Sequence, residues 1–214
     1  MAKAPGNYDR AVSKEQRSEE QLQRLLDAGA RVFAERGYAG SSVAHVLDAC
    51  DVGRGTFYRH FEGLEDLFLA VTSAAVELLE SDVRQAIAEQ PDTLAKLRVG
   101  IERFLAVLAD NTALARVLLR GIKANMPHED ANWPSAFEHF QAMFTELLPQ
   151  AVDEGLLPRL PTDMQVHALL SAIEGVALQY VLDGTPERAQ EAAPMLYRMC
   201  LRTLTDPGEA PPGS

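Results

Sequence analysis

Two long runs of apolar residues spaced three and four apart, Leu22 to Phe33 and Leu64 to Leu79, enclose a segment of different texture. Residues 37–63 hold five glycines, Gly37, Gly40, Gly53, Gly55 and Gly63, and apolar pieces too brief for a long helix. Such punctuation fits two short helices joined by a tight turn. Ser42 can cap the first, which turns Val43, Val46 and Leu47 inward; Cys50-Asp51 supplies the turn, and Val52 docks back. The outline is a helix-turn-helix.

Strict apolar/polar alternation is absent, and spacings of three and four recur along the rest of the chain, so the fold class is all-α. A helix is expected from Asp92, an N-cap that opens the stripe Leu94, Leu97, Ile101, Phe104, Leu105 and Leu108. Others are expected over 113–124 and 135–153, the latter ended by Gly155 and Pro158. Thr162-Asp163-Met164-Gln165 has the form of a capping box before Val166, Leu169, Leu170, Ile173, Ala177 and Tyr180. Thr185-Pro186 has the form of an N-cap followed by a first-turn proline, which starts a last helix to about 205.

With 214 residues, 47% of them hydrophobic, the chain can build a substantial core. Two cysteines, Cys50 and Cys200, form neither a disulfide framework nor a zinc spacing, and both suit the role of small apolar fillers. Residues 1–10 lack the apolar stretch of a signal peptide and no run is long enough to span a membrane, so a cytoplasmic location is expected, with no membrane partner. GxSxG, HExxH, P-loop and GxGxxG patterns are missing, so neither an enzymatic reaction nor a metal or cofactor is expected.

The second short helix, Gly53 to Arg59, displays Arg54, Thr56, Tyr58 and Arg59, with His60 just beyond, while Phe57 and Phe61 recur at the spacing of a buried face. Such a helix can enter a major groove, where Arg54 reaches a guanine edge or a phosphate and the hydroxyls bond the backbone. Gly55 lets the backbone approach closely.

The stretch Leu25-Leu26-Asp27-Ala28, Val32-Phe33-Ala34-Glu35-Arg36-Gly37-Tyr38, Ser41-Ser42-Val43, Val52-Gly53-Arg54-Gly55-Thr56-Phe57-Tyr58-Arg59-His60-Phe61 and Glu65-Asp66-Leu67-Phe68 closely resembles the signature of the tetracycline-repressor (TetR) family. The resemblance implies a flexible arm over 1–19, a three-helix DNA-binding head over 20–63, a helical ligand-binding and dimerisation body over 64–205, and a tail over 206–214. It assigns phosphate contacts to Ser42, Thr56, Tyr58 and His60, and base-edge or phosphate contacts to Ala44, Gly53, Arg54 and Arg59. It departs from the family pattern at Gly53, where a serine or lysine is common, and at Leu64, where a lysine touches a phosphate; both weaken DNA affinity. The family implies a homodimer on a palindromic operator, a repressor released by a small molecule. The alternative, motivated by Gly53 and Leu64, is a small-molecule carrier or sensor with weakened DNA binding.

The formal charge of −11 opposes a nucleic-acid partner only until it is divided along the chain. Residues 1–64 carry nine Lys/Arg against nine Asp/Glu, and the remainder eleven against twenty-two. Acidity therefore belongs to the body. In the arm, Lys3, Arg10, Lys14 and Arg17 can add DNA contacts, opposed by the interleaved Asp9, Glu15, Glu19 and Glu20. For the effector, a largely apolar molecule, Phe104, Met126, Trp133, Phe137, Phe140 and Phe144 read either as plain core or as a pocket wall, joined by Met143 and with Glu174 and Tyr180 as polar handles. In the family the last two helices form a four-helix bundle between protomers, and Ala168, Ala172, Gly175 and Ala177 would permit close approach there.

Overall fold

The structure is a computed structural model that describes residues 8–121 and 136–206. Its described residues form nine α-helices and no strand: α1 (Tyr8–Arg36), α2 (Val43–Asp48), α3 (Arg54–His60), α4 (Leu64–Ala88), α5 (Thr93–Asp110), α6 (Thr112–Gly121), α7 (Ala136–Asp153), α8 (Asp163–Leu182) and α9 (Pro186–Thr205). They fall into two compact units, Met1–Ala74 and Ala75–Ser214. The boundary lies inside α4, eleven residues beyond the expected end of the head at 63, because Leu67, Phe68 and Val71 are buried in the first unit.

The first unit is held by aromatic rings. Phe33, Tyr38 and Phe68 meet with centroids 5.0 Å apart for both Phe33–Phe68 and Tyr38–Phe68, and Phe57 and Phe61 lie 5.7 Å apart. Offset and edge-on contacts of this kind add specific attraction to the burial of large surfaces. Gly29 lets α4 lie close on α1, since a Cβ there would stand 3.1 Å from both Leu67 and Val71 side chains. Residues 8–19, expected as a flexible arm, are instead the start of α1. Physically, 14–21 is a run of Lys, Glu, Gln, Arg and Ser with no glycine or proline, and most of these residues propagate a helix well.

In the second unit α5 is the hub, packing against α6, α7, α8 and α9. Asp92 caps it by accepting from the Ala95 N–H at 2.8 Å. Thr162 and Gln165 close the expected capping box on α8. The N-terminus of α9 differs: the Thr185 hydroxyl makes no cap bond and turns instead toward the Tyr180 carbonyl, leaving Pro186 to set the first turn. Helix α4 continues nine residues past the apolar run that ends at Leu79, because Val83 and Ile87 keep the apolar register. Cys200 is core, and burial pushes its thiol up to about 11. Ala177, expected in an intermolecular seam, is fully buried in this unit's own core, whereas Ala168 and Gly175 are exposed.

Candidate nucleic-acid interface

Helix α2 begins where the Ser42 Oγ accepts from the His45 N–H at 3.2 Å. Its C-terminus is tied to α1 by Arg31, whose guanidinium donates to the Ala49 carbonyl at 3.0 Å. The turn then delivers α3, whose Phe57 is fully buried; that anchor fixes which face looks outward. Arg54, Gly55, Tyr58 and Arg59 make up the exposed face, with Tyr58 54% exposed. Thr56 and His60, four residues apart, flank it half-buried.

The eight residues assigned to this surface are therefore not equivalent. Arg54 is exposed and without a carboxylate among the described residues, which leaves its full set of donors available. Arg59 is partly engaged: its Nη2 donates to Gln21 Oε1 at 2.6 Å and so straps α3 to α1. Ser42 accepts within the cap and keeps its hydroxyl proton to donate. Ala44 is exposed and offers a methyl group. His60 fits a phosphate contact least, because its Nε2 is buried without a partner, and desolvation, then the nearby Arg59, hold its pKa below the ordinary value.

The glycines of this region divide into two kinds. Gly40 is demanded by the fold, since a Cβ there would lie 2.6 Å from the Arg36 carbonyl oxygen, and Gly37 turns with φ +69°. Gly53 and Gly55 have open space where a Cβ would sit, and neither has positive φ. Nothing in the unit itself excludes a side chain at either position.

In the second unit, α4, α5 and α7 enclose a small apolar cavity of about 10 Å³, lined among others by Val83, Ile87, Leu97, Phe140 and Phe144, with Lys96 on its wall. That volume is roughly one water. Of the expected pocket residues, Phe140, Met143 and Phe144 line it, and Phe104 stands behind, stacked on Phe140 at 4.2 Å. Glu174 and Tyr180 on α8 are half-buried and do not line this cavity. Met126, Trp133 and the Phe137 side chain lie outside the described residues. The sequence reading missed Val83, Ile87 and Gly100 as lining; the signal was Gly100, a glycine inside the stripe Leu97 to Ile101.

Ion pairs mark the second unit. Arg103 makes a bidentate contact to Asp82, with Nη2 to Oδ2 at 2.7 Å, and these bonds hold the Asp82 carboxyl below its ordinary range. Arg84 reaches Glu80 at 2.7 Å and Glu146 at 3.3 Å, and His139 Nδ1 stands 2.9 Å from the other Glu80 oxygen. No group of three potential metal ligands occurs among the described residues, and no described helix is long and apolar enough to cross a membrane.

Comparison with known proteins follows this division. Residues 25–71 match the bacterial regulatory proteins of the tetR family, and residues 90–204 match the tetracyclin repressor-like C-terminal domain. The HTH-type transcriptional activator FasR of Mycolicibacterium smegmatis is 29% identical over 136 residues, which is 64% of this chain. The match spans 62% of that relative's length. Among solved structures, the fatty acid degradation regulator FadR from Bacillus halodurans superposes with a TM-score of 0.73 at 18% identity, covering 94% of this chain and 97% of that one. FadR from Bacillus subtilis, in complex with stearoyl-CoA, superposes with a TM-score of 0.70 at 17% identity, covering 85% and 98%.

Proposed function

The chain belongs to the TetR family of bacterial regulatory proteins, and from that premise we propose that it binds a palindromic operator as a homodimer through α3 and leaves it when a largely apolar effector occupies the body. The observation that carries this reading is the exposed face of α3, with Arg54 unpaired and Tyr58 held outward by the buried Phe57. Arg54 suits a guanine edge and the Tyr58 hydroxyl a phosphate. The unforced Gly55 supports it, because an absent side chain there lets a duplex approach the backbone.

Dimerisation is proposed through α8 and α9. Helix α8 is rich in apolar residues that are not gathered on one face, the mark of a helix covered on more than one side. Its outward residues include Met164, Ala168 and Gly175, and α9 adds the exposed Met195 and Met199. Two copies present two recognition helices to major grooves about 34–36 Å apart. The effector is proposed to enter between α4, α5 and α7, where Phe140, Met143 and Phe144 yield as the small cavity opens. A long-chain acyl thioester fits this reading, supported by the neighbour crystallised with stearoyl-CoA. Ligand and DNA then compete by population shift, with no covalent step. The relative named as an activator favours a second reading, in which operator occupancy turns genes on; the sign depends on where the operator lies relative to the promoter.

Selection of bound fragments from random DNA with the full chain is expected to return an inverted repeat with half-sites one helical turn apart. Arg54→Ala is expected to weaken that complex by about 1–3 kcal/mol, and stearoyl-CoA to release it. Selected fragments without two-fold symmetry, or an Arg54→Ala chain that binds as well as the wild type, overturn the proposal. A chain that binds the thioester and retards no DNA is the carrier instead.

A further inference from the structure

Resting on the operator reading, we propose that the N-terminal half of α1 is a second phosphate-binding surface, where Lys14 and Arg17 extend the α3 contact along the backbone of the same duplex. In sequence these cations alternate with carboxylates and cancel. On a continuous helix they do not. At about 100° per residue, Lys14, Arg17, Gln21 and Arg24 fall within roughly 80° of arc. Glu15 and Glu19 lie on the opposite side, and Glu20 flanks the stripe about 80° from its centre.

The stripe is anchored to the recognition helix by a bond already described. Gln21, which lies within it, accepts from Arg59 of α3 at 2.6 Å. Arg17 and Lys14 therefore continue from the end of α3, about 6 and 10 Å further along the α1 axis at 1.5 Å per residue. Both are exposed, and neither has a carboxylate within ion-pairing distance among the described residues. Residues 14–20 offer no apolar side chain to bury, so packing gives this part of the helix no reason to persist. A duplex supplies one, since it carries a negative charge about every 1.7 Å along its axis. The occupant that fits is thus a phosphate backbone adjoining the half-site read by α3. A head with no net charge gains affinity in this way, through segregation of its charges onto different faces.

The test compares three full-length chains, the wild type, Lys14→Gln/Arg17→Gln and Lys14→Arg/Arg17→Lys, on the selected operator and on an unrelated duplex across a potassium chloride series. The glutamine pair is expected to flatten the slope of log affinity against log salt by about 0.9 per lost contact, nearly two units in all, and to weaken both duplexes to a similar degree, by a margin that narrows about tenfold from 50 to 200 mM salt. The charge-conserving pair is expected to keep the wild-type slope. An unchanged slope in the glutamine pair, a loss confined to the operator, or an equal loss in the charge-conserving pair overturns the inference while leaving α3 recognition standing. A wild-type chain that retards no duplex at any salt overturns the operator reading first, and this inference with it.

Discussion

The two units of this chain use charge in opposite ways. The acidic body ties three of its arginines down: Arg84, Arg98 and Arg103 each face a carboxylate, and Glu80 and Asp82 are stabilised in return. The head has balanced charge, yet among the described residues it contains no ion pair. Arg17, Arg24 and Arg54 are left free. An unpaired surface cation costs a fold almost nothing, whereas an exposed pair contributes only about 0–1 kcal/mol. Leaving cations free is therefore a cheap way to keep them available for a polyanion. Their cores differ as well, with edge-on and tilted aromatic rings holding the small head and a largely aliphatic cluster filling the body.

The largest expected effect tests the aromatic half of this contrast. Phe57 is fully buried and meets both Tyr58 and Phe61. Phe57→Ala is expected to cost about 3–5 kcal/mol, read as a fall in the urea midpoint of the head, with loss of DNA retardation. A variant that keeps the wild-type midpoint would show that other contacts orient α3. The next effect tests the charge half through a pair of arginines. Arg103→Ala is expected to lower stability by at most about 1 kcal/mol, since its pair with Asp82 is partly exposed, and to leave operator affinity unchanged. Arg54→Ala should do the reverse, with no fall in melting temperature. An exchange of those outcomes would end the distinction between paired and available cations.

How much of this was legible beforehand depended on the range of the interaction. Caps at Ser42, Asp92 and Thr162 were readable because each closes within three residues. The outward face of α3 was readable because Phe57 and Phe61 repeat at helical spacing. The helical course of residues 8–19 was misread for want of an apolar stripe; the strong helix formers there were the neglected signal. Arg59 was assigned to DNA alone, and no spacing rule could reveal Gln21 as its partner 38 positions away. Nor could spacing reveal that His139 meets Glu80 on another helix, 59 positions away. The cavity depends on where α4, α5 and α7 converge, which periodicity along any one of them does not specify.

The smallest effect separates the units by pH. In the body, the hydrogen bond from Arg84, then that from His139, depresses the Glu80 carboxyl, and the bonds from Arg103 depress Asp82. A depressed carboxyl binds its proton less readily folded than unfolded, so its contribution is complete above the ordinary carboxylate value of about 4 and is lost as pH falls through the folded value. In the head, desolvation and then Arg59 depress His60, which favours the neutral ring. Its contribution is complete above the ordinary histidine value of about 6.5 and fades as pH falls through the lower folded one. Acidification should thus loosen the head before the body. Amide exchange followed from pH 7.5 to 4, corrected for its intrinsic pH dependence, is expected to show protection falling first over Arg54–His60 and only below about 4.3 over Thr93–Asp110. His60→Gln should abolish the early step and leave the late one. Simultaneous loss in both helices would mean that the carboxylates of the body, and not the imidazole of the head, control the acid response of both units.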